Sequence, residues 1–268
     1  MIVGLMRVKN EARWISEAVS ELRRLADAVL VLDDHSEDNT VDLALRAGAH
    51  VITSPFDGID EARDKDFLVE QAWKRYGPFA GNDWAIMLDG DEVLMDHWEM
   101  LECMSRVSEE GRPVALAPSI LYLWDSPEMV RIDGIYGSFY RQSAWPIGAS
   151  GGVETFRRTK YGNGANFHCS SVPDAFTRHF QRIPVRVKHY GYMHRDDRIR
   201  KFHWYNTIDP LNDFEDRYRH MVIGDLFPPT SRFRWAGPLK KVPLRDFRPA
   251  PATGDILKLR GRPHGSDS

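Results

Sequence analysis

The sequence predicts an α/β fold: a mainly parallel, doubly wound sheet flanked by helices and followed by an irregular C-terminal elaboration. Three observations predict it. Up to residue 92, four short apolar runs of strand length alternate with three segments whose apolar residues recur every three or four positions. The fourth run ends in Asp89-Gly90-Asp91, an acidic turn placed where open α/β sheets collect ligands. Beyond Glu92 the alternation stops, and Gly, Pro and aromatic residues divide the chain into irregular pieces.

Residues 2–6 read as a buried strand, and Asn10 is placed to cap a helix whose stripe is Ile15, Val19, Leu22 and Leu25. Residues 28–32 form the second strand, ending in Asp33-Asp34-His35-Ser36. Asp38-Asn39-Thr40 then starts a helix over 41–47 that Gly48 stops. The third strand, 50–53, leads through Pro55 and Gly58 into a helix around 62–73. The loop 76–82 precedes the fourth strand, 84–88. Further on, Trp98, Leu101 and Met104 are spaced as a helix stripe, 114–123 as a strand, and 130–139 and 155–167 as irregular strands. Residues 186–190 read as a strand and 196–205 as a short helix. Prolines at 228, 229, 238, 243, 249 and 251 exclude long helices after Phe227 and predict an extended tail that frays beyond Leu259. No internal repeat or clear linker divides the chain.

A chain of 268 residues with 42% hydrophobic content can bury a real core, which excludes a disordered protein. Its longest apolar stretches are strand-sized, and MIVGLMRVKNEAR meets charge too early for a signal peptide, so neither a membrane span nor a leader is expected. Cys103 and Cys169 are too few for a disulfide framework or a cysteine zinc site; a reducing, cytoplasmic location is the expectation. The net charge of −3 conceals an asymmetry: residues 1–177 hold 17 Lys+Arg against 29 Asp+Glu, and residues 178–268 hold 19 against 10. An acidic front suits a metal site, and a basic back suits an anionic partner such as nucleic acid, phospholipid or charged glycan. Alternatively, these charges only solvate separate surfaces.

Two carboxylates separated by one glycine at the mouth of a buried strand can aim oxygens at one hard divalent cation and at the phosphates it carries. That is chemistry on a diphosphate; the plain alternative is an acidic turn entering a loop. IVGLMRVKNEARWISEAV, VLVLDDHSEDNTVDLALRAG and the strand-borne DGDE resemble, in order and spacing, three successive nucleotide-site segments of family 2 glycosyltransferases of the GT-A fold. HYGYMHRDDRIRKFHWYN resembles the later His-x-Gly-Tyr segment and basic helix of bacterial members with a DxDE motif.

The resemblance implies a single, Rossmann-like GT-A domain over residues 1–268, with a mixed, mainly parallel sheet. Residues 1–110 would be the nucleotide-sugar half, 111–227 the acceptor and catalytic half, and 228–268 the tail. It implies transfer of a sugar from a nucleotide diphosphate sugar to an acceptor hydroxyl, with inversion. A UDP-sugar is favoured because a carboxylate contact to a base N–H suits uracil. Arg7 and Val8, with Met6, would line the nucleobase through backbone groups, and Glu11 would hold that loop, or else cap the helix start. Asp33 and Asp34 would contact the nucleotide; an Asx-type turn is the alternative for Asp33. Arg63 stands where such enzymes often carry Ala-Arg-Asn, although Asp64 replaces the Asn. It would meet the diphosphate, brace the Asp89 loop through a carboxylate, or lie solvated.

Mn²⁺ or Mg²⁺ bound by Asp91, and by Asp89 directly or through water, with Gly90 between them, would stabilise the departing nucleoside diphosphate. His189 would be a third metal ligand or a strand cap, and Lys201 and Arg198 would clamp the β-phosphate or form a solvated basic face. For the catalytic base, the His-Glu pair of related enzymes is replaced by His168-Cys169-Ser170-Ser171, which leaves Asp174 as first candidate. Glu154, Asp133 and His168 compete, and a retaining outcome stays open. Trp124, Tyr136, Tyr140 and Trp145 would stack on an acceptor or belong to the core. Anionic glycan, modified DNA and peptide acceptors all stay open. Asp91→Ala is expected to abolish activity and leave folding intact.

Three other classes compare poorly or differ in outcome. A haloacid dehalogenase-type phosphatase would carry its Asp-x-Asp after the first strand, which here ends in Met6-Arg7-Val8. A sugar nucleotidyltransferase would have a glycine-rich first loop, replaced here by Arg7-Val8-Lys9-Asn10. A GT-A-fold protein that binds nucleotide-sugar or glycan without turnover is the main alternative to an enzyme.

Overall fold

In the computed structural model, which describes residues 1–150, 156, 169–210 and 212–248, the first half alternates strand and helix. The order is β1 (Ile2–Val8), α1 (Ile15–Leu22), β2 (Ala28–Asp33), α2 (Thr40–Arg46), β3 (His50–Thr53), α3 (Glu61–Tyr76) and β4 (Trp84–Met87). The period of two along each strand sorts its side chains into two cores. Met6, Val8, Val29, Val31 and Ile86 pack with Ile15, Val19 and Leu22 of α1. Val3, Leu5, Leu30, Leu32 and Met87 pack on the other face with Leu68, Val69 and Ala72 of α3. The strands lie in the order β3-β2-β1-β4, each neighbouring pair parallel, so this half is the doubly wound unit that the alternation predicts.

The second half supplies β5 (Glu92–Leu94), α4 (His97–Glu109), β6 (Ala115–Tyr122), β7 (Met129–Arg131), β8 (Ala144–Trp145), β9 (Phe180–His189), α5 (Arg195–Ile208) and β10 (Lys241–Pro243). The sheet continues from β4 as β8-β6-β9-β5, with β6 and β9 parallel and the other three junctions antiparallel; β7 and β10 form a separate antiparallel pair. β5 follows β4 in the chain yet sits at the far edge. Val93 and Leu94 nevertheless share a core with Ile15 and Val19, so the sheet curls around α1. The result is a mixed, mostly parallel sheet flanked by helices, the architecture implied by the GT-A resemblance.

Several local expectations change. Asn10 does not cap α1, whose N-cap is Trp14. Asn10 takes a left-handed φ of 56°, which its short polar side chain tolerates; its N–H donates to Ser36 Oγ, and its Oδ1 accepts from Glu37 N–H, joining the exits of β1 and β2. On α4 the buried face is Met100, Cys103, Met104 and Val107, while Trp98 and Leu101 are exposed, because packing against β9 rotates the helix away from the stripe read in sequence. Of the 130–139 segment, only β7 is strand, followed by a 3-10 turn, Gly134–Gly137. The 155–167 segment lies outside the described residues except Phe156, which packs in the α3-side core. β9 begins at Phe180, because Ile183 and Val185 extend the inward alternation of Val187 ahead of the predicted start at residue 186. Among the described residues, no helix is long and apolar enough to cross a membrane.

The middle region is held by a buried arginine. Arg131 is fully buried; its Nε and one terminal nitrogen donate to the two Asp133 oxygens at 2.9 and 2.8 Å, and the other donates to the His220 carbonyl at 2.7 Å. Its guanidinium carbon lies 4.4 Å from the Trp124 ring and 4.0 Å from the Tyr136 ring. Arg198 lies 4.2 Å from the same indole and binds Asp225, Asp125 and two carbonyls. Arg198 is therefore a buried structural cation, neither a phosphate clamp nor a solvated face. Trp124, Tyr136 and Trp145 are core residues, and Asp133 is committed to Arg131. Tyr140 is half-buried, with Arg182 5.6 Å from its ring.

Candidate active site

Because β6 and β9 run in the same direction as β1, β2 and β4, their C-terminal ends share one edge of the sheet. Val8, Asp33, Tyr122 and His189 end four of these strands, and Asp89-Gly90-Asp91 follows the fifth. Glu92 closes the acidic turn: its carboxylate accepts from Asp89 N–H at 3.0 Å, and its own N–H donates to the Asp89 carbonyl at 3.0 Å. A Cβ at position 90 would stand 2.9 Å from Val8 Cγ1 and 3.0 Å from Glu11 Cγ, so glycine is required for the close approach of the β1 exit.

Four carboxylates, Glu11, Asp89, Asp91 and Glu92, meet two cations here. Lys201 Nζ donates to Asp91 Oδ2 at 2.7 Å, and both side chains are largely buried. Arg141 donates to Asp89 Oδ2 at 3.1 Å and also to Glu92. Burial pushes the Asp91 carboxyl up, but Lys201, then His189 and Arg141, outweigh it and hold Asp91 ionised, well below the ordinary range. Burial raises Glu92 to about 7, with Arg141 opposing and Asp89 and Asp91 adding to the rise. Burial, then the Asp91 charge, raises Glu11 to about 8. His189 sits between the rings of Tyr122 and Tyr192, at 4.9 and 4.7 Å, and burial lowers it to about 4 despite Asp91, so the imidazole is neutral at pH 7.

Among the described residues, no three His, Cys, Asp or Glu side chains close around a single ion. Two groups nevertheless fit one. Asp91 Oδ1 and His189 Nε2 face each other across 4.0 Å, a span that two ligands at about 2.1 Å from a shared divalent ion can cover. A neutral imidazole and an ionised carboxylate are the correct donor forms. His189 Nδ1 is buried without a partner, and a Cβ at Gly191 would fall 2.0 Å from Asp91 Oδ2, so this edge admits no side chain from position 191. Asp89 is about half exposed and turned to Arg141.

Beside this cluster, Arg7 joins β1, β2 and α3: its Nε donates to Asp64 and a terminal nitrogen to Asp34, each at 2.8 Å. The Val8 carbonyl accepts from Asp34 N–H at 2.8 Å, and Met6 is fully buried. Arg63 donates to Asp64 Oδ1 at 2.8 and 2.9 Å and to the Gly58 carbonyl, and its guanidinium covers the Phe56 ring at 4.3 Å. It therefore braces the 57–58 loop and not the Asp89 loop. Asp64, the departure from the family's Asn, is the carboxylate that the two arginines share. Asp33 accepts from Ser36 N–H through Oδ2, as an Asx-type turn would, while its other oxygen is buried without a partner. Glu11 accepts from the N–H groups of Trp14 and Ile15 through its carbonyl and donates its N–H to Thr40 Oγ1.

Asp174 opens the 3-10 turn Asp174–Phe176, anchored by Phe176 in the core. Gln142, the neighbour of Arg141, donates to the Thr177 carbonyl at 3.4 Å, so this turn adjoins the segment that reaches Asp89. Glu154 and His168 lie outside the described residues. Sequence reading missed Arg141 and Glu92. Glu92 had a signal in the DGDE string; Arg141 had none, because 49 residues separate it from the carboxylate it neutralises.

The raised carboxyls predict a pH response. Folded Glu11 and Glu92 hold protons up to about 8 and about 7, whereas unfolded glutamate releases them near 4.5. At these two groups the native state binds more protons in that window, so their contribution to stability falls as pH rises from about 4.5 to about 8, while His189, lowered to about 4, acts in the opposite sense only below about 6.5. Thermal unfolding should give a lower melting temperature at pH 8.5 than at pH 6, and Glu11→Gln should shrink the difference. An unchanged difference in that variant would remove Glu11 from the account.

The family model described as glycosyl transferase family 2 matches residues 5–161, more than half of the chain. An uncharacterized glycosyltransferase of Rickettsia felis is 35% identical over 93 residues, covering 35% of this chain and 29% of the relative. An uncharacterized protein of Mycobacterium tuberculosis is 23% identical over 224 residues, covering 78% of this chain and 51% of the relative. The chain thus spans between about a third and a half of these relatives. Among solved structures, Staphylococcus aureus TarS is similar with a TM-score of 0.46 and 12% identity, over 84% of this chain and 43% of that one. Glucosyl-3-phosphoglycerate synthase from M. tuberculosis, crystallised with Mn²⁺, UDP and glucosyl-3-phosphoglycerate, gives 0.33 and 19%, over 46% of this chain and 44% of that one. The extent of the family match, on a mixed, mainly parallel sheet with the acidic turn at the end of β4, establishes that the chain belongs to glycosyl transferase family 2.

Proposed function

We propose that this protein transfers a sugar from a nucleotide diphosphate sugar, a UDP-sugar first, to an acceptor hydroxyl with inversion. The observation that carries the reading is Asp91, held ionised and buried beside a neutral His189 at the edge where the parallel strands end. Asp91 and His189 would hold Mn²⁺ or Mg²⁺, with Asp89 alongside. When bound, the ion supplies stabilisation of the charge that develops on the departing nucleoside diphosphate.

The chain's own residues do the rest. The unpartnered oxygen of Asp33 is an acceptor for a base N–H, which suits uracil, and a buried oxygen left unsatisfied by the wrong base makes discrimination strong. The network of Arg7, Asp34, Asp64 and Arg63 keeps the surrounding loops in place before the donor arrives, which lowers the ordering cost of binding. Asp174 is the base we assign among the described residues, since Asp133 is locked on Arg131; it would take the acceptor proton as the anomeric centre passes through an oxocarbenium-like state. Residues 1–110 would bind donor and 111–227 acceptor, with 228–268 as the C-terminal tail. The basic C-terminal third favours an anionic acceptor in the cytoplasm.

Purified protein incubated with UDP-, GDP- and dTDP-sugars without acceptor tests this directly. Slow release of UDP from one donor, stimulated by Mn²⁺ and stopped by EDTA, is the expected outcome. Donor binding with no release under any acceptor tried would support the alternative, a nucleotide-sugar binding protein without turnover. No binding of any donor would overturn both.

A further inference from the structure

A buried ammonium occupies one oxygen of the carboxylate to which the proposed function gives the metal. Lys201 Nζ stands 2.7 Å from Asp91 Oδ2, and glycine at 191 permits the pair, since a Cβ there would lie 2.0 Å from that oxygen and 2.4 Å from Nζ. The other two carboxylates of the turn are engaged by Arg141. An ion arriving alone would therefore find two protein ligands, Asp91 and His189, with a positive charge against one of them. Such a half-built cage, completed by phosphate oxygens, is how hard divalent ions are commonly held.

Lys201 also has somewhere to go. It lines a cleft of about 270 Å³ with Glu11, Arg13, Asp38, Gly191, Asp197 and Arg200. Its flexible four-carbon stem can swing a point charge between two anions, which the planar, doubly paired Arg141 cannot do. A diphosphate entering that cleft meets Lys201 beside Arg13 and Arg200, both of which face Asp197.

We propose that Lys201 is a built-in counter-ion for Asp91, displaced towards the diphosphate when donor arrives, so that metal ion and nucleoside diphosphate bind tightly only as a pair. This rests on the site being a nucleoside diphosphate site, as proposed above. Lys201 is a positioning residue for Asp91 in the free protein and a phosphate contact in the loaded one.

Binding of Mn²⁺, read from the loss of the free-ion EPR signal with and without UDP, tests the assignment independently of turnover. The wild-type chain should gain at least tenfold in Mn²⁺ affinity when UDP is present. Lys201→Met should bind Mn²⁺ alone at least fivefold more tightly than wild type and gain less than threefold from UDP; Lys201→Arg should behave as wild type. If the Met variant does not fold, Lys201→Gln, whose amide still donates to Asp91 without charge, takes its place. Mn²⁺ affinity unchanged in the uncharged variant would overturn the counter-ion assignment. If UDP, GDP and dTDP all fail to bind the wild type with or without Mn²⁺, the transferase reading falls and the pairing with it, while the Mn²⁺-only comparison still decides the role of Lys201 on Asp91.

Discussion

Asp91→Asn should lower the proposed sugar transfer by on the order of 10³-fold while the chain still folds, the scale of loss seen when one preorganised electrostatic group is removed from a site. The amide keeps an oxygen to accept from Lys201 but cannot supply the negative charge that the proposed divalent ion would need. Asp91→Ala is a different experiment, and here the structure corrects the expectation that the acidic turn can be thinned at little cost. Asp91 is buried with Lys201 at 2.7 Å, so alanine leaves a buried ammonium without its partner. Breaking a buried pair from one side costs about 3–5 kcal/mol. Asp91→Ala should therefore melt well below Asp91→Asn, and adding Lys201→Met to it should restore much of the loss. Equal melting temperatures for the Ala and Asn variants would sink the buried-pair account; normal transfer by Asp91→Asn would remove Asp91 from the chemistry.

The largest loss of stability is expected at a residue far from any chemistry. Arg131→Met removes a fully buried guanidinium that neutralises Asp133, satisfies the His220 carbonyl and fills the space between Trp124 and Tyr136. Asp133 would keep one backbone donor, Lys240 N–H at 3.0 Å, and lose its counter-charge. The expected cost is about 3–5 kcal/mol, read as a shift of the urea midpoint with the slope unchanged. Replacing Asp133 by Asn in the same chain should recover part of it. A loss below about 1 kcal/mol would mean that Asp133 finds other compensation or takes up a proton.

These two arginine and lysine pairs show where sequence reading runs out. Lys201 and Arg198 are three residues apart on α5 and look equivalent as a string. In the fold, one reaches Asp91, 110 residues earlier, and the other is buried against Trp124 and Asp225. Arg141 carries no local signal for its place on Asp89 and Glu92. Trp98 and Leu101 fit a helical stripe yet face outward, since α4 packs through Met100, Cys103 and Val107 instead.

What the sequence by itself determined was local and periodic. Alternation of apolar runs and helical stripes was enough to read β1 to β4 with their three helices, and the string Asp89-Gly90-Asp91 after β4 was enough to find the acidic turn. Those signals are complete within a few residues, because strand alternation and helix period are properties of neighbouring positions. Tertiary structure alone decided which charges meet. The curl of the sheet around α1 sets Glu92 and His189 side by side as cross-strand partners, and α5 carries Lys201 to Asp91. β8 leads Arg141 to Asp89. Ion pairs and shared carboxylates depend on distances across 49 to 110 residues of chain, and such distances exist only once the hydrophobic cores have closed.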